Sequence, residues 1–290
     1  MRDFPSCFSE NAVQIYDSSP SIGTSRTAQN TVTCIYESGI CGRRCLVTVA
    51  WSKTLMGLVL TVIIDDYSME CLRKVEVKPW LFSRRRGSKK IEGFSGKLEI
   101  YWDLSSAKFR SSPEPCESFY VAVLIESHMA LLIGDMKKEA LSKTGALSLS
   151  PSIVFLSKRE NLFAKRVFAT KARFREEDDD HEIEIECETF GLLSPTLILR
   201  FDCKTMVEVK HLHWKFRGNH TVMVEGVAVE FFWDVHNWLF GTADGNAIFM
   251  FKTCVSKNGW DGHATASSSS RGSFDSSFGF SLILYAWRKE

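Results

Sequence analysis

The sequence predicts a mainly β, antiparallel protein made of two internally duplicated halves, each a sandwich or a barrel, with one or two short helices. Three observations carry that expectation. The first is a repeated set of landmarks. Val75-Glu76-Val77-Lys78 recurs as Val207-Glu208-Val209-Lys210. Each copy is followed by Trp-x-Phe (Trp80 to Phe82; Trp214 to Phe216), then Arg-Gly (Arg86-Gly87; Arg217-Gly218) and Glu-Gly (Glu92-Gly93; Glu225-Gly226). Each then closes on aromatic-Trp-Asp (Tyr101-Trp102-Asp103; Phe232-Trp233-Asp234). The offset of about 130 residues is the size of a domain and far beyond a solenoid period. The second observation is the even spacing of short β-favouring runs between turn residues, the pattern of an all-β sandwich or barrel. The third is parity. Leu98, Ile100 and Trp102 alternate with Glu99, Tyr101 and Asp103, as Val229, Phe231 and Trp233 do with Phe232 and its neighbours, and a slip of one residue would exchange the faces.

Residues 1–30 read as a disordered N-terminal tail, rich in Ser and Gly with little to bury. Residues 31–144 form the first β half, with runs at about 31–37, 44–51, 58–65, 71–78, 96–103, 119–126 and 129–134. Asp135 is placed to cap a helix over Met136–Lys143, which Thr144-Gly145 stops. Residues 145–165 connect the halves, with a short helical turn expected around Arg159–Phe163. The second β half takes residues 166–290, with runs at about 167–174, 181–188, 195–201, 206–213, 219–225, 227–234, 246–254 and 278–287. Glu225-Gly226 reads as a hairpin turn, with Gly supplying positive φ. In His181–Glu188, Ile183, Ile185 and Cys187 point inward and the glutamates point to water. The Ser-rich stretch 256–277 is an inserted loop between the last two strands.

The chain has 290 residues, formal net charge +1 and 21 Phe with 8 Trp, enough aromatic bulk for a substantial core and no global charge pointing to nucleic acid or an anionic membrane. No apolar run reaches the ~18–20 residues needed to cross a bilayer, and the N-terminus lacks a signal-peptide apolar region. Nine cysteines, an odd number lying mostly inside apolar strands, read as reduced thiols in a cytosolic or nuclear protein. Cys41 and Cys45 have no second pair to complete a zinc site.

Few side chains suggest chemistry. Arg84, Arg85, Arg86, Lys89 and Lys90 form the sharpest basic cluster, able to meet phosphates of a lipid headgroup or nucleic acid, against the simpler reading of a solvated hairpin loop. Ser88 within it resembles a basophilic kinase site. The acidic run Glu176–Asp180 lacks the spacing of a calcium loop. His211 and His213 fall on one face of an expected strand with His220 nearby. A partly buried pair beside Trp214 is the default reading, because no third metal ligand is visible. Asp103, Asp234 and His236 are weak catalytic candidates: paired carboxylates in a cleft between halves can do acid/base work, but an Asp ending a strand commonly caps the next turn. No metal and no cofactor is expected, since no phosphate loop, dinucleotide fingerprint, nucleophile elbow or zincin motif occurs; Gly241–Gly245 reads as a turn.

Several longer stretches are similar to a plant family known only as domain of unknown function eight-six-eight. They are KVEVKPWLFSRRRGSKK (Lys74–Lys90), YWDLSSAKF (Tyr101–Phe109), WKFRGNH (Trp214–His220), FWDVHNWLFGT (Phe232–Thr242), GFSLILYAW (Gly279–Trp287) and the opening MRDFPSCF. Ser112-Pro113-Glu114-Pro115 departs from the Gly-Pro-Glu-Pro that the resemblance implies, which touches only a turn. The resemblance implies a plant source and brings no activity, cofactor or site residue with it.

The function expected from these features is a non-catalytic binding or scaffold module, cytoplasmic or nuclear, for a protein or an amphipathic small molecule. Two alternatives stand beside it. One is an enzyme with acid/base carboxylates in a cleft between the halves. The other is a phosphoinositide or nucleic-acid binder acting through the basic loop.

Overall fold

The computed structural model describes residues 30–40, 43–55, 57–66, 71–77, 85–94, 96–146, 153–175, 180–188, 195–241, 245–253 and 279–288. Residues 1–29 of the expected tail, the Ser-rich loop 256–277, Arg84 and Glu176–Asp179 lie outside the described residues, as do Cys41 and the landmark Trp80 to Phe82; Asn30, read as the end of the tail, opens the first strand.

The first half supplies β1 (Asn30–Ile40), β2 (Arg43–Thr54), β3 (Gly57–Asp66), β4 (Cys71–Val77), β5 (Arg86–Phe94) and β6 (Gly96–Asp103). It continues through β7 (Lys108–Phe109), β8 (Pro115–Glu117), β9 (Tyr120–Ile125), β10 (His128–Ile133) and α1 (Lys137–Thr144). The second half supplies β11 (Ile153–Ala164), β12 (Val167–Ala172), β13 (His181–Glu188), β14 (Thr196–Phe201), β15 (Lys204–Val209) and β16 (Arg217–Val224). It ends with β17 (Val227–Asp234), α2 (His236–Phe240), β18 (Asn246–Thr253) and β19 (Ser281–Arg288). The mainly β, antiparallel class with two short helices is thus the observed one.

A nine-stranded sheet runs β16-β17-β18-β19-β11-β1-β2-β3-β4 through both halves. Two four-stranded sheets accompany it, β10-β9-β6-β5 and β12-β13-β14-β15. Buried residues of β2, β3 and β4 share one core with Leu98, Ile100, Trp102, Val121 and Val123. Those of β12–β15 share another with Val229, Phe231, Trp233, Phe249 and Leu284. Each end of the long sheet therefore forms a sandwich-like pair with one small sheet. Paired residues share a face. Val49 of the first core pairs through Cys34 to Lys158, and Lys158 pairs with Leu282 of the second core. Both small sheets consequently cover the same face of the long one, and β1 and β11 floor the space between them.

The strand that joins the halves departs from expectation. Residues 153–164 are β11, not a connection with a helical turn at Arg159–Phe163. β11 is held on both edges, antiparallel by β1 and parallel by β19, so pairing with distant strands overrides the weak local helical signal. Among the described residues, the β11–β19 pair is the parallel exception in an antiparallel architecture.

Smaller corrections have local causes. Asp135 does not cap α1: its carboxylate accepts the backbone N–H groups of Ser118 and Phe119 at 2.9 and 3.0 Å and pins the turn before β9. Those two bonds hold its pKa below the usual carboxylate value. Gly145 ends the helix in the left-handed region, as read from sequence. Arg86–Lys90 is edge strand rather than loop, paired along β6 from Arg86↔Asp103 to Lys90↔Glu99. Glu225 and Gly226 take φ 45° and 81°, the positive values of a two-residue hairpin turn. In β13, Ile183, Ile185 and Cys187 are buried as expected.

Candidate functional site

Asp103 and Asp234 end β6 and β17, in different sheets. Each closes its own hairpin. Asp103 accepts the Ser105 N–H at 3.0 Å and faces Arg86 at 3.7 Å; Asp234 accepts the His236 N–H at 3.0 Å and Arg217 Nε at 2.7 Å. The His236 ring packs beside Phe216 and Phe240. Neither carboxylate lines the cleft between the halves. Arg85, just before β5, and Arg86, Ser88, Lys89 and Lys90 at its start are all exposed.

His211 and His213 are not on a strand. β15 ends at Val209, His211 takes φ 60°, and both histidines are exposed in a turn with Trp214, which is 87% exposed. Alternation with the buried Leu212 suggested a strand, and the turn reproduces that alternation without one. Among the described residues, no group of three or more His, Cys, Asp or Glu is placed to share a metal.

What the structure does assemble is a cleft where the halves meet, about 690 Å³ in volume. Its floor is Tyr36 of β1 with Phe155, Lys158 and Glu160 of β11. One wall is the segment around β8, including Ser112 and Glu114; the other is β12, including Ala169 and Thr170. Tyr36 stacks on Phe155 at 4.8 Å, and Phe155 meets Phe280 at 5.0 Å, giving the floor an aromatic end. The polar end is a connected network. Lys158 Nζ lies 3.1 Å from Glu114 Oε2 and 3.9 Å from Glu160 Oε2, and donates to the Lys171 carbonyl at 3.4 Å. Thr170 Oγ1 donates to Glu160 Oε2 at 2.5 Å, and the Cys34 thiol donates to Glu114 Oε1 at 3.6 Å. Lys158 thereby ties the wall of one half to the wall of the other.

Burial sets the charge states. The Lys158 side chain is 13% exposed and that of Glu160 5%. Burial by itself would lower the Lys158 pKa, but Glu114 and Glu160 outweigh it and hold the ammonium up. Burial, reinforced by Glu114, pushes the Cys34 thiol well up. Burial also pushes the Glu160 carboxyl up against the opposing pull of Lys158, Thr170 and Ser112. A charged amine and a neutral thiol are the opposite of what a lysine or cysteine nucleophile needs.

Sequence reasoning missed this site because β1, the β8 region, the consecutive strands β11 and β12, and Phe280 lie far from one another in the chain. A partial signal existed in Ile153-Val154-Phe155-Leu156, a β-favouring run inside the stretch read as a connection.

Two sandwich-like units sharing one long sheet, with a polar and aromatic cleft at their junction, define the class: an all-β protein of two joined halves. The family model described as Plant protein of unknown function (DUF868) matches residues 27–288, and the chain belongs to that family. No curated protein and no solved structure matches the chain.

Proposed function

We propose that the protein is a non-catalytic binding module whose halves descend from one duplicated β unit, and that it takes an amphipathic small molecule in the cleft where they meet. The cleft itself carries the reading: it is of ligand size, has an aromatic end and a hydrogen-bonding end, and lies on contributions from both halves. The duplication is supported by the two hairpins, in which Arg86↔Asp103 and Gly87↔Trp102 recur as Arg217↔Asp234 and Gly218↔Trp233. The charge states of Lys158 and Cys34 favour binding over chemistry. The buried thiols of Cys34 and Cys187, joined in no disulfide, support a reducing compartment, cytoplasmic or nuclear.

The test is native mass spectrometry of the protein purified from plant extract, with organic extraction to identify what is released. Ser111→Trp adds bulk at an exposed position of the cleft lining, outside any strand, so it should abolish the bound mass without lowering Tm. A wild-type protein that carries no small molecule, or a bound mass untouched by the plug, refutes the proposal.

A further inference from the structure

We propose that a second cavity, at the free edge of the β10-β9-β6-β5 sheet and separate from the junction cleft, binds a phosphoryl group of a small molecule or lipid headgroup. Its volume is about 580 Å³. Arg86 and Ser88 line it from one side of edge strand β5 and Lys89 from the other. Tyr101 and Tyr120 form its back, and Lys143 reaches it from α1. Arg86 is held only loosely by Asp103, at 3.7 Å. Among the described residues, Lys89 and Lys143 have no carboxylate within ion-pair distance. The anion in the lining, Glu76, pairs with Lys74 at 2.7 Å. The neighbouring Lys90 is engaged by Glu99 at 2.9 Å. The Tyr101 phenol donates to Glu99 at 3.5 Å, so the cavity presents three cations from two elements, the Ser88 hydroxyl and the Tyr120 phenol, a donor set that a phosphate dianion takes.

The other half of the molecule supplies an internal control. Its β16–β17 hairpin keeps the frame, with Arg217↔Asp234 and Gly218↔Trp233 in the same register. At the cavity positions it differs. Ser88 and Tyr101 correspond to the pair Asn219 and Phe232, and Lys89 corresponds to His220. Tyr120, opposite Asp103, corresponds to Ile248, opposite Asp234. Packing of the hairpin thus requires neither the lysine nor the phenols. They gather only where a helix brings a further lysine.

Isothermal titration with inositol trisphosphate, and co-sedimentation with phosphatidylcholine vesicles carrying phosphatidylinositol bisphosphate, test the site. Lys89→Gln combined with Lys143→Gln changes two exposed side chains and should weaken binding about tenfold or more, while Lys215→Gln, an exposed lysine of the other half, should change nothing. Trisphosphate binding lost in the double variant assigns a soluble phosphorylated ligand. Loss confined to vesicles assigns a lipid headgroup. Absence of binding to both probes, or affinity indifferent to the double variant, overturns the proposal.

Discussion

The hairpins β5–β6 and β16–β17 share their register at the open end, but β5 shifts register after Ile91 where β16 runs unbroken to its turn, and the segments that continue from them differ. In both, a tryptophan lies across a glycine on the neighbouring strand. In both, an arginine faces the aspartate that ends the second strand, and the residue after that aspartate returns a backbone N–H to the opposite strand: Leu104 to Arg85 at 2.8 Å, Val235 to Phe216 at 2.9 Å. After Asp103 the chain makes an irregular excursion through β7 and β8 that delivers Ser112 and Glu114 to the junction cleft. After Asp234 it folds at once into α2, which sets Phe240 beside Phe216 and His213. The shared frame serves stability. The divergent connections decide which groups line the junction cleft, as expected of loops on a rigid scaffold.

The glycines break or confirm the likeness with the largest effect. A Cβ at Gly218 would stand 2.3 Å from the Trp233 ring, against 3.0 Å between Gly87 and Trp102. Overpacking a fitted core costs about 1–3 kcal/mol. Gly218→Ala should fall at the upper end and Gly87→Ala at the lower end, measured by urea denaturation. Equal costs would show that the two tryptophans are not seated as differently as the distances say.

Glu160 separates the junction from the hairpins through pH. Its folded-state pKa is raised above the ordinary 4.5, so its contribution to stability is complete below that pH and is lost as pH rises through the folded value. The loss amounts to about 1.4 kcal/mol for each pKa unit of elevation. Lys158, also raised, loses its contribution only above its ordinary 10.5, outside that window. In Glu160→Gln the decline in stability from pH 4.5 upward should flatten. An unchanged profile in urea titrations at stepped pH would mean the carboxyl is not desolvated.

The arginines sharpen the comparison least. The Arg217–Asp234 pair is closer than Arg86–Asp103, 2.7 against 3.7 Å, yet both guanidinium groups are largely exposed. Each Arg→Gln change should cost less than about 1 kcal/mol, with Arg217 the larger and the difference vanishing in high salt.

Legibility of the fold followed how local the determining forces are. β6, β13 and β17 were plain in the sequence because alternating apolar side chains report one buried face directly. β5 was hidden because its residues are basic and, among the described residues, it is an edge strand hydrogen-bonded to β6 alone. β11 was hidden because the strands on both sides of it come from the two extremes of the described chain. Asp135 was assigned to the helix after it, when its partners are Ser118 and Phe119, brought close only by the β9–β10 hairpin. The basic cluster was visible as charge, but its phenols and Lys143 were not visible as its neighbours.

By itself the sequence determined the β class, most strand positions and the correspondence of the two hairpins, because side-chain alternation and turn residues act over a few neighbours. The tertiary structure alone decided that the halves share one nine-stranded sheet and that Cys34, Glu114, Lys158, Glu160 and Thr170 meet in one cleft. Pairing between distant strands sets those outcomes, and no local pattern encodes which distant strand will arrive.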